Sequence, residues 1–256
     1  MERQFVAFEN GVPTPRVYKD SQGKILSSIG VSGADFYVGL MDYINAKDFF
    51  SLGERPSKED LGQLVDVADK IRKIDYKPDF IYDSWALSSF IGQFDKKRGR
   101  LDAGALEAIR PIADMFRKFD YDGLPKAFCH ADMHAANLIK DGAGKVWVID
   151  WGVSNYMARV SELIVLLSGV WQPVDDGESV SRSEFVIKKW CDKVGATQAE
   201  VSAIEPLLMV KAAIRVMNPS YEIEANGDKS AEMLAFRNSG YNGLRLIPKI
   251  MSAVSR

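Results

Sequence analysis

The sequence predicts an α+β chain, with a small α/β piece up to about residue 44 and then a larger, mostly helical piece interrupted by one short hairpin. Three observations predict it. Strand-like segments punctuated by glycine and proline crowd the first 44 residues, the apolar period becomes helical from Ser57 onward, and a glycine turn separates two runs of β-formers near residues 138–148. A composition of 46% hydrophobic and 27% charged residues over 256 positions supplies enough apolar side chain for one or two cores.

Glu2 to Glu9 reads as a short helix closed by Asn10-Gly11, the glycine supplying a left-handed cap. Val12-Pro13-Thr14-Pro15 cannot continue it, because each proline biases the residue before it toward extended geometry. Strands are expected at Arg16 to Tyr18, Lys24 to Ile29 and Phe36 to Tyr43, with a Ser21-Gln22-Gly23 turn and with Gly30 and Gly33 as turn residues between strands. Ser57 with Asp60 three residues on forms a capped helix start, and Leu61, Leu64, Val65, Ala68, Ile71 and Ile74 then fall on one face. A second helix is expected from Ala103 to Phe119, kinked or broken at Pro111. From Arg159 onward the pattern is helical over Leu163 to Leu167, Phe185 to Trp190, Val201 to Val216 and Ala231 to Phe236, with a bend at Pro206.

A net charge of −2 creates no basic field, so nucleic acid is not an expected partner. No apolar run approaches the roughly 20 residues that span a bilayer, and the opening MERQFVAFENG has no basic flank followed by an apolar core. The expectation is a soluble cytoplasmic protein without a membrane partner. Cys129 and Cys191 are too few and too far apart for a disulfide framework or a metal knuckle and are expected as buried thiols.

The chemistry concentrates at residues 128–152. FCHADMHAANLI is followed by the turn Asp141-Gly142-Ala143-Gly144 and then KVWVIDWG, so Leu138-Ile139 and Val146-Trp147-Val148 read as a hairpin. Folding the second strand back returns Asp150 to the neighbourhood of Asn137 and Asp132, gathering two carboxylates and a carboxamide. Such oxygen donors suit magnesium, which keeps some waters for itself, and they suit phosphoryl transfer, which rests on positioning and charge stabilisation. Both histidines of the chain, His130 and His134, lie in this segment.

HADMHAAN followed by VIDWG resembles the motif pair of the aminoglycoside phosphotransferase and choline kinase superfamily, whose members read H-G-D-x-H-x-x-N and then I-D-x-x. The resemblance implies a protein-kinase-like two-lobe fold, with a partial N-terminal lobe at 1–44 and a helical catalytic lobe at 45–256. It makes Asp132 the catalytic base and Asn137 and Asp150 the magnesium ligands. It makes His130 the orienting histidine of the loop, and it puts His134 near the transferring phosphate. Ala131 stands where glycine is usual, and Ala135-Ala136 where proline and glycine are common. FYVGLMDYINAKDF resembles the strand and hinge that hold the nucleotide base, with Met41, Asp42 and Ile44 at the hinge. The implied reaction moves the γ-phosphoryl group of ATP or GTP to a hydroxyl of a small molecule. The family's phosphate-covering loop and its ATP lysine lie before the first helix, where this chain begins, so reduced activity is expected and Glu2, which would pair with that lysine, is expected without a partner.

Two alternatives stand beside this reading, a catalytically impaired, pseudokinase-like nucleotide-binding protein and a metal-dependent hydrolase built on the H-x-D-x-H loop. The acidic clusters Asp175-Asp176-Gly177-Glu178 and Glu222-Ile223-Glu224 could draw a cationic acceptor such as an aminosugar or amino alcohol, although solvated surface charge accounts for them more simply. Trp147, Trp151, Trp171 and Trp190 are expected in the core rather than in a substrate cage.

Overall fold

The computed structural model describes residues 1–169 and 175–255. The chain divides into two compact units, Met1–Ile81 with Ala127–Tyr156, and Tyr82–Lys126 with Met157–Arg256. The lobe boundary expected at residues 44–45 lies inside the first of these.

The first unit opens with α1 (Glu2–Glu9), which closes at Gly11 with φ +76°. The amides of Gly11 and Val12 turn back to the Phe8 and Ala7 carbonyls, so the predicted cap is present. β1 (Val17–Tyr18) pairs antiparallel with β4 (Leu40–Met41), and between them β2 (Ser27–Val31) and β3 (Ala34–Val38) form a separate hairpin turning at Ser32-Gly33, both at positive φ. The expected strand at Lys24 therefore begins three residues later, because the Asp20 carboxylate accepts from the Gln22 and Lys24 amides and from Ser27 Oγ and holds that stretch as a loop. Gly30 lies within β2 rather than in a turn, and the strand expected over Phe36 to Tyr43 is split between β3 and β4.

A short α2 (Phe49–Leu52), which the periodicity did not announce, is capped by Asp48 accepting from the Ser51 amide. α3 (Lys58–Ile71) begins with the predicted capping box between Ser57 and Asp60, an arrangement that contributes about 1 kcal/mol. All six residues assigned to its apolar face are buried. The remaining strands, most of whose residues belong to this unit, are β5 (Lys126–Cys129) paired with β8 (Asn155–Ala158), and β6 (Leu138–Lys140) antiparallel to β7 (Val146–Val148). Leu64, Val65, Phe128, Leu138, Val148 and Trp151 are central to its core, where the Trp151 indole donates to Thr14 Oγ1 at 3.0 Å.

The second unit is helical, with α4 (Phe90–Lys97), α5 (Ala103–Phe116), α6 (Val160–Ser168), α7 (Asp176–Val194), α8 (Gln198–Asn226) and α9 (Ala231–Val254). α5 runs unbroken past Pro111 and α8 past Pro206, so neither proline ends its helix. Burial of Ile109, Ile112 and Ala113 around the first, and of Ile204, Leu207 and Leu208 around the second, outweighs the hydrogen bond each proline forfeits. α6 is buried along its whole length. Gly240 of α9 packs directly on α8, where a Cβ would come within 2.8 Å of the Ala212 carbonyl oxygen. Among the described residues, no helix is long and apolar enough to cross a membrane.

Candidate active site

The site grows from the loop after β5. His130 is fully buried and meets the Trp151 ring edge-on at 4.7 Å. Its Nε2 lies 3.0 Å from the Ile149 carbonyl oxygen and so carries the proton, which leaves Nδ1 to accept from the Asp132 amide at 3.2 Å. Burial pushes this imidazole down to about 4 against the pull of Asp132, so the ring is neutral near neutral pH. The Ile149 amide in turn donates to the Asn137 carbonyl at 3.0 Å. The residue just before Asp150 is thus gripped through both its amide and its carbonyl by the loop.

Asn137 is buried, and its Nδ2 donates to the Asp132 carbonyl at 2.9 Å and to Asp132 Oδ2 at 2.8 Å. Both partners are acceptors, which fixes the amide orientation and turns Asn137 Oδ1 away from Asp132. His134 lies beside this pair, its Nε2 3.4 Å from Asp132 Oδ2. Ala131 and Asp150 sit at φ +70° and +61°, a region that costs a residue with a Cβ about 1–2 kcal/mol. The expected glycine position therefore has the backbone conformation a glycine would take, and an alanine tolerates it.

The β6–β7 hairpin that carries Asn137 and Asp150 at its open end is pinned from several sides. Val148 donates to the Pro13 carbonyl at 2.9 Å, and Ile139 bridges to Asp48. Gln63 of α3 accepts from the Val146 amide at 3.1 Å and donates to the Gly144 carbonyl at 3.0 Å. Lys140 meets the buried Asp60 at 2.8 Å. Burial alone would raise the Asp60 carboxyl, but hydrogen bonds from Lys140 and Ser57 hold it below the usual range.

Asp150 is exposed and lines a cleft of about 500 Å³ whose walls include Gln4, Pro15, Met41, Ile44, Ile139 and Trp151. The three hinge residues proposed from the sequence, Met41, Asp42 and Ile44, all line it. The Asp42 amide is engaged by the Arg16 carbonyl at 2.9 Å, and its carboxylate accepts from the Tyr18 hydroxyl at 2.8 Å. Among the described residues, the Asp42 carbonyl and the Ile44 amide make no backbone hydrogen bond and stand two residues apart. Sequence reasoning missed Gln4, Pro15, Ile139 and Ile149 as cleft residues. Alternation along β6, which buries Leu138 and turns Ile139 to the other face, was the signal for one of them; nothing in the sequence marked Gln4.

Other expectations have mixed outcomes. Glu2 is not without a partner, since it accepts from the Tyr76 hydroxyl at 3.1 Å. Asp175 caps α7 through the Glu178 amide, Asp176 pairs with Arg245 and Lys249, and Glu222 accepts from Asn226, so these acidic residues have structural partners. Trp151 and Trp190 are core residues, whereas Trp147 is half-buried, donates to Asp141 and lies under Lys145; Trp171 lies outside the described residues. Cys129 is buried and Cys191 half-buried.

Among the described residues, no three His, Cys, Asp or Glu side chains gather to hold a metal, which leaves the hydrolase alternative without a third ligand. Asn137 Oδ1 and the Asp150 carboxylate are hard oxygen donors of the kind magnesium takes when phosphates complete its shell, so this donor set fits.

A family model described as the phosphotransferase enzyme family matches residues 2–182. No curated protein matches the chain. Among solved structures, it is similar to a choline/ethanolamine kinase family protein from Mesorhizobium loti, at 15% identity and a TM-score of 0.65, covering 99% of this chain and 81% of that one. It is similar to an aminoglycoside phosphotransferase from Alicyclobacillus acidocaldarius, at 14% identity and a TM-score of 0.66, covering 99% and 82%. An amicoumacin kinase solved with AMP-PNP and Ca²⁺ aligns at 12% identity and a TM-score of 0.65, covering 97% and 76%. At such identities these likenesses establish the kinase-like fold, and with the match over residues 2–182 the chain belongs to the phosphotransferase enzyme family.

Proposed function

We propose that this protein transfers the γ-phosphoryl group of ATP to a hydroxyl of a small molecule, with GTP as the competing donor. The observation that carries the reading is the Asp132–Asn137 pair at 2.8 Å, tied through His130 and the Asn137 carbonyl to the backbone of Ile149, next to Asp150 at the mouth of an apolar cleft. Asp132 is the base: its carboxylate, held by the Asn137 amide, accepts the proton of the attacking hydroxyl. His130, neutral and bonded to both the Asp132 amide and the Ile149 carbonyl, is a positioning residue that keeps the base in register with the hairpin. Asn137 Oδ1 and the Asp150 carboxylate are the magnesium ligands. Held there, magnesium would supply positive charge against the phosphates during transfer.

The hinge supports adenine. The Asp42 carbonyl can accept from its exocyclic amine and the Ile44 amide can donate to its ring nitrogen, whereas guanine presents these groups in the reverse sense. Met41, Ile44, Ile139 and Trp151 supply the apolar walls for a flat ring.

The metal assignment is tested by calorimetric titration of ADP with and without magnesium. Affinity should rise with magnesium in the wild-type chain and lose that increment in Asp150→Ala. Equal affinities in both conditions would mean that Asn137 and Asp150 are not magnesium ligands.

A further inference from the structure

His134 turns its two ring nitrogens toward two different parts of the site. Its side chain is about one-third exposed, at 32%. Nδ1 accepts from the Ala136 amide at 3.3 Å, capping the single 3-10 turn Ala135–Asn137 that delivers Asn137. An accepting Nδ1 carries no proton, so the neutral ring has its hydrogen on Nε2. Nε2 lies 3.4 Å from Asp132 Oδ2 and 3.4 Å from Asn137 Nδ2. The second approach is not a donation to the ring, because both amide hydrogens of Asn137 are directed at Asp132, at 2.9 and 2.8 Å. The carboxylate nearest Nε2 is that of Asp132, at 3.4 Å.

We propose that His134 is a positioning residue acting through Asp132 and the Asn137 turn, rather than a direct contact of the transferring phosphate as the sequence motif implies. One nitrogen shapes the turn that presents Asn137, and the other holds the carboxylate oxygen that Asn137 also holds. The inference rests on Asp132 being the base. Asn137 Nδ2 donates to Asp132 Oδ2 at 2.8 Å, and His134 Nε2 stands 3.4 Å from the same oxygen. A separation of 3.4 Å is long for a hydrogen bond, and such contacts tighten once substrate orders a site.

Two measurements on the full chain test this. The protein has two histidines, so ¹⁵N imidazole spectra resolve both tautomers without activity. His134 should be in the Nε2–H form; an Nδ1–H form would overturn the proposal. The second follows slow MgATP turnover with water as acceptor, which needs no knowledge of the substrate. His134→Gln can set an amide N–H near the Nε2 position and should keep kcat within about threefold. His134→Asn retains a cap for the turn but cannot reach Asp132, and should lower kcat by about tenfold or more with the KM for ATP unchanged. A rise in the KM for ATP in both variants would indicate a phosphate contact, and wild-type kinetics in both would dismiss any role. Absence of turnover in the wild-type chain would count against the phosphotransferase reading itself, while the tautomer result would still decide the geometry of His134.

Discussion

The two hairpins of the first unit, β2–β3 and β6–β7, obey one local rule and meet opposite fates. Each places a glycine at positive φ in its turn, Gly33 in one and Gly144 in the other, and each alternates side chains across a paired ladder. Every residue of β3 is exposed, and Phe36 and Tyr37 reach 52% and 77%. In β6–β7, Leu138, Val146 and Val148 are at most 1% exposed, and Pro13, Asp48 and Gln63 hold the ladder from outside. A hairpin forms from its own turn and pattern, but it becomes a platform for chemistry only when neighbouring elements satisfy its edges and bury one face. Asn137 and Asp150 stand on the pinned hairpin, where positioning can persist.

The sharpest way to break the comparison is to truncate one apolar residue in each hairpin. Leu138→Ala should cost about 2–5 kcal/mol of stability, because it opens a cavity in a closed core. Phe36→Ala should stay within about 0.5 kcal/mol, since its ring is half in water already. Urea denaturation of the two variants measures both, and equal losses would show that β2–β3 is as well supported as β6–β7.

A pH titration tests the loop that leads into β6 next. His130 has its folded pKa near 4 against an unfolded value of 6.5, so below pH 6.5 the unfolded chain takes up a proton that the folded chain refuses. The contribution is complete above pH 6.5 and falls away as pH drops to 4, by about 3 kcal/mol at roughly 1.36 kcal/mol per unit. Denaturant melts from pH 7 to 4.5 should show this slope in the wild-type chain and a shallower one in His130→Asn. Parallel slopes would mean that the buried imidazole is not what couples this loop to acid.

The smallest effect belongs to Ala131. Replacing it by glycine removes a left-handed cost of about 1–2 kcal/mol and adds an unfolded-state entropy cost of about 0.5–1 kcal/mol. Ala131→Gly should therefore stabilise by about 0.5 kcal/mol in thermal melts. A clear destabilisation would show that the Cβ is itself a packing contact in the loop.

How much of this was legible follows the range of the forces. The cap at Gly11, the capping box at Ser57–Asp60 and the β6–β7 turn depend on residues within four positions, and sequence alone placed them. The pairing of Asp132 with Asn137 was readable from the motif, because five residues of loop return one to the other. What escaped was set by distant packing. α5 runs through Pro111 without the break that was one of the two outcomes expected there, because burial on both flanks favours the helix, and α9 continues to Val254 past the expected end at Phe236. Gln63, Gln4 and Tyr76 act on residues 83, 11 and 74 positions away, and their types say nothing about those partners.

The central claim is that Asp132 takes the proton of a hydroxyl that receives the γ-phosphoryl group. Its most direct test is ³¹P NMR of phosphomonoester formation from MgATP across a panel of small hydroxyl-bearing acceptors, with wild-type protein beside Asp132→Asn. The account predicts product with the wild-type chain and a loss of about 10²- to 10⁴-fold in Asp132→Asn, with ADP affinity unchanged. Equal rates of product formation by the two proteins would contradict it.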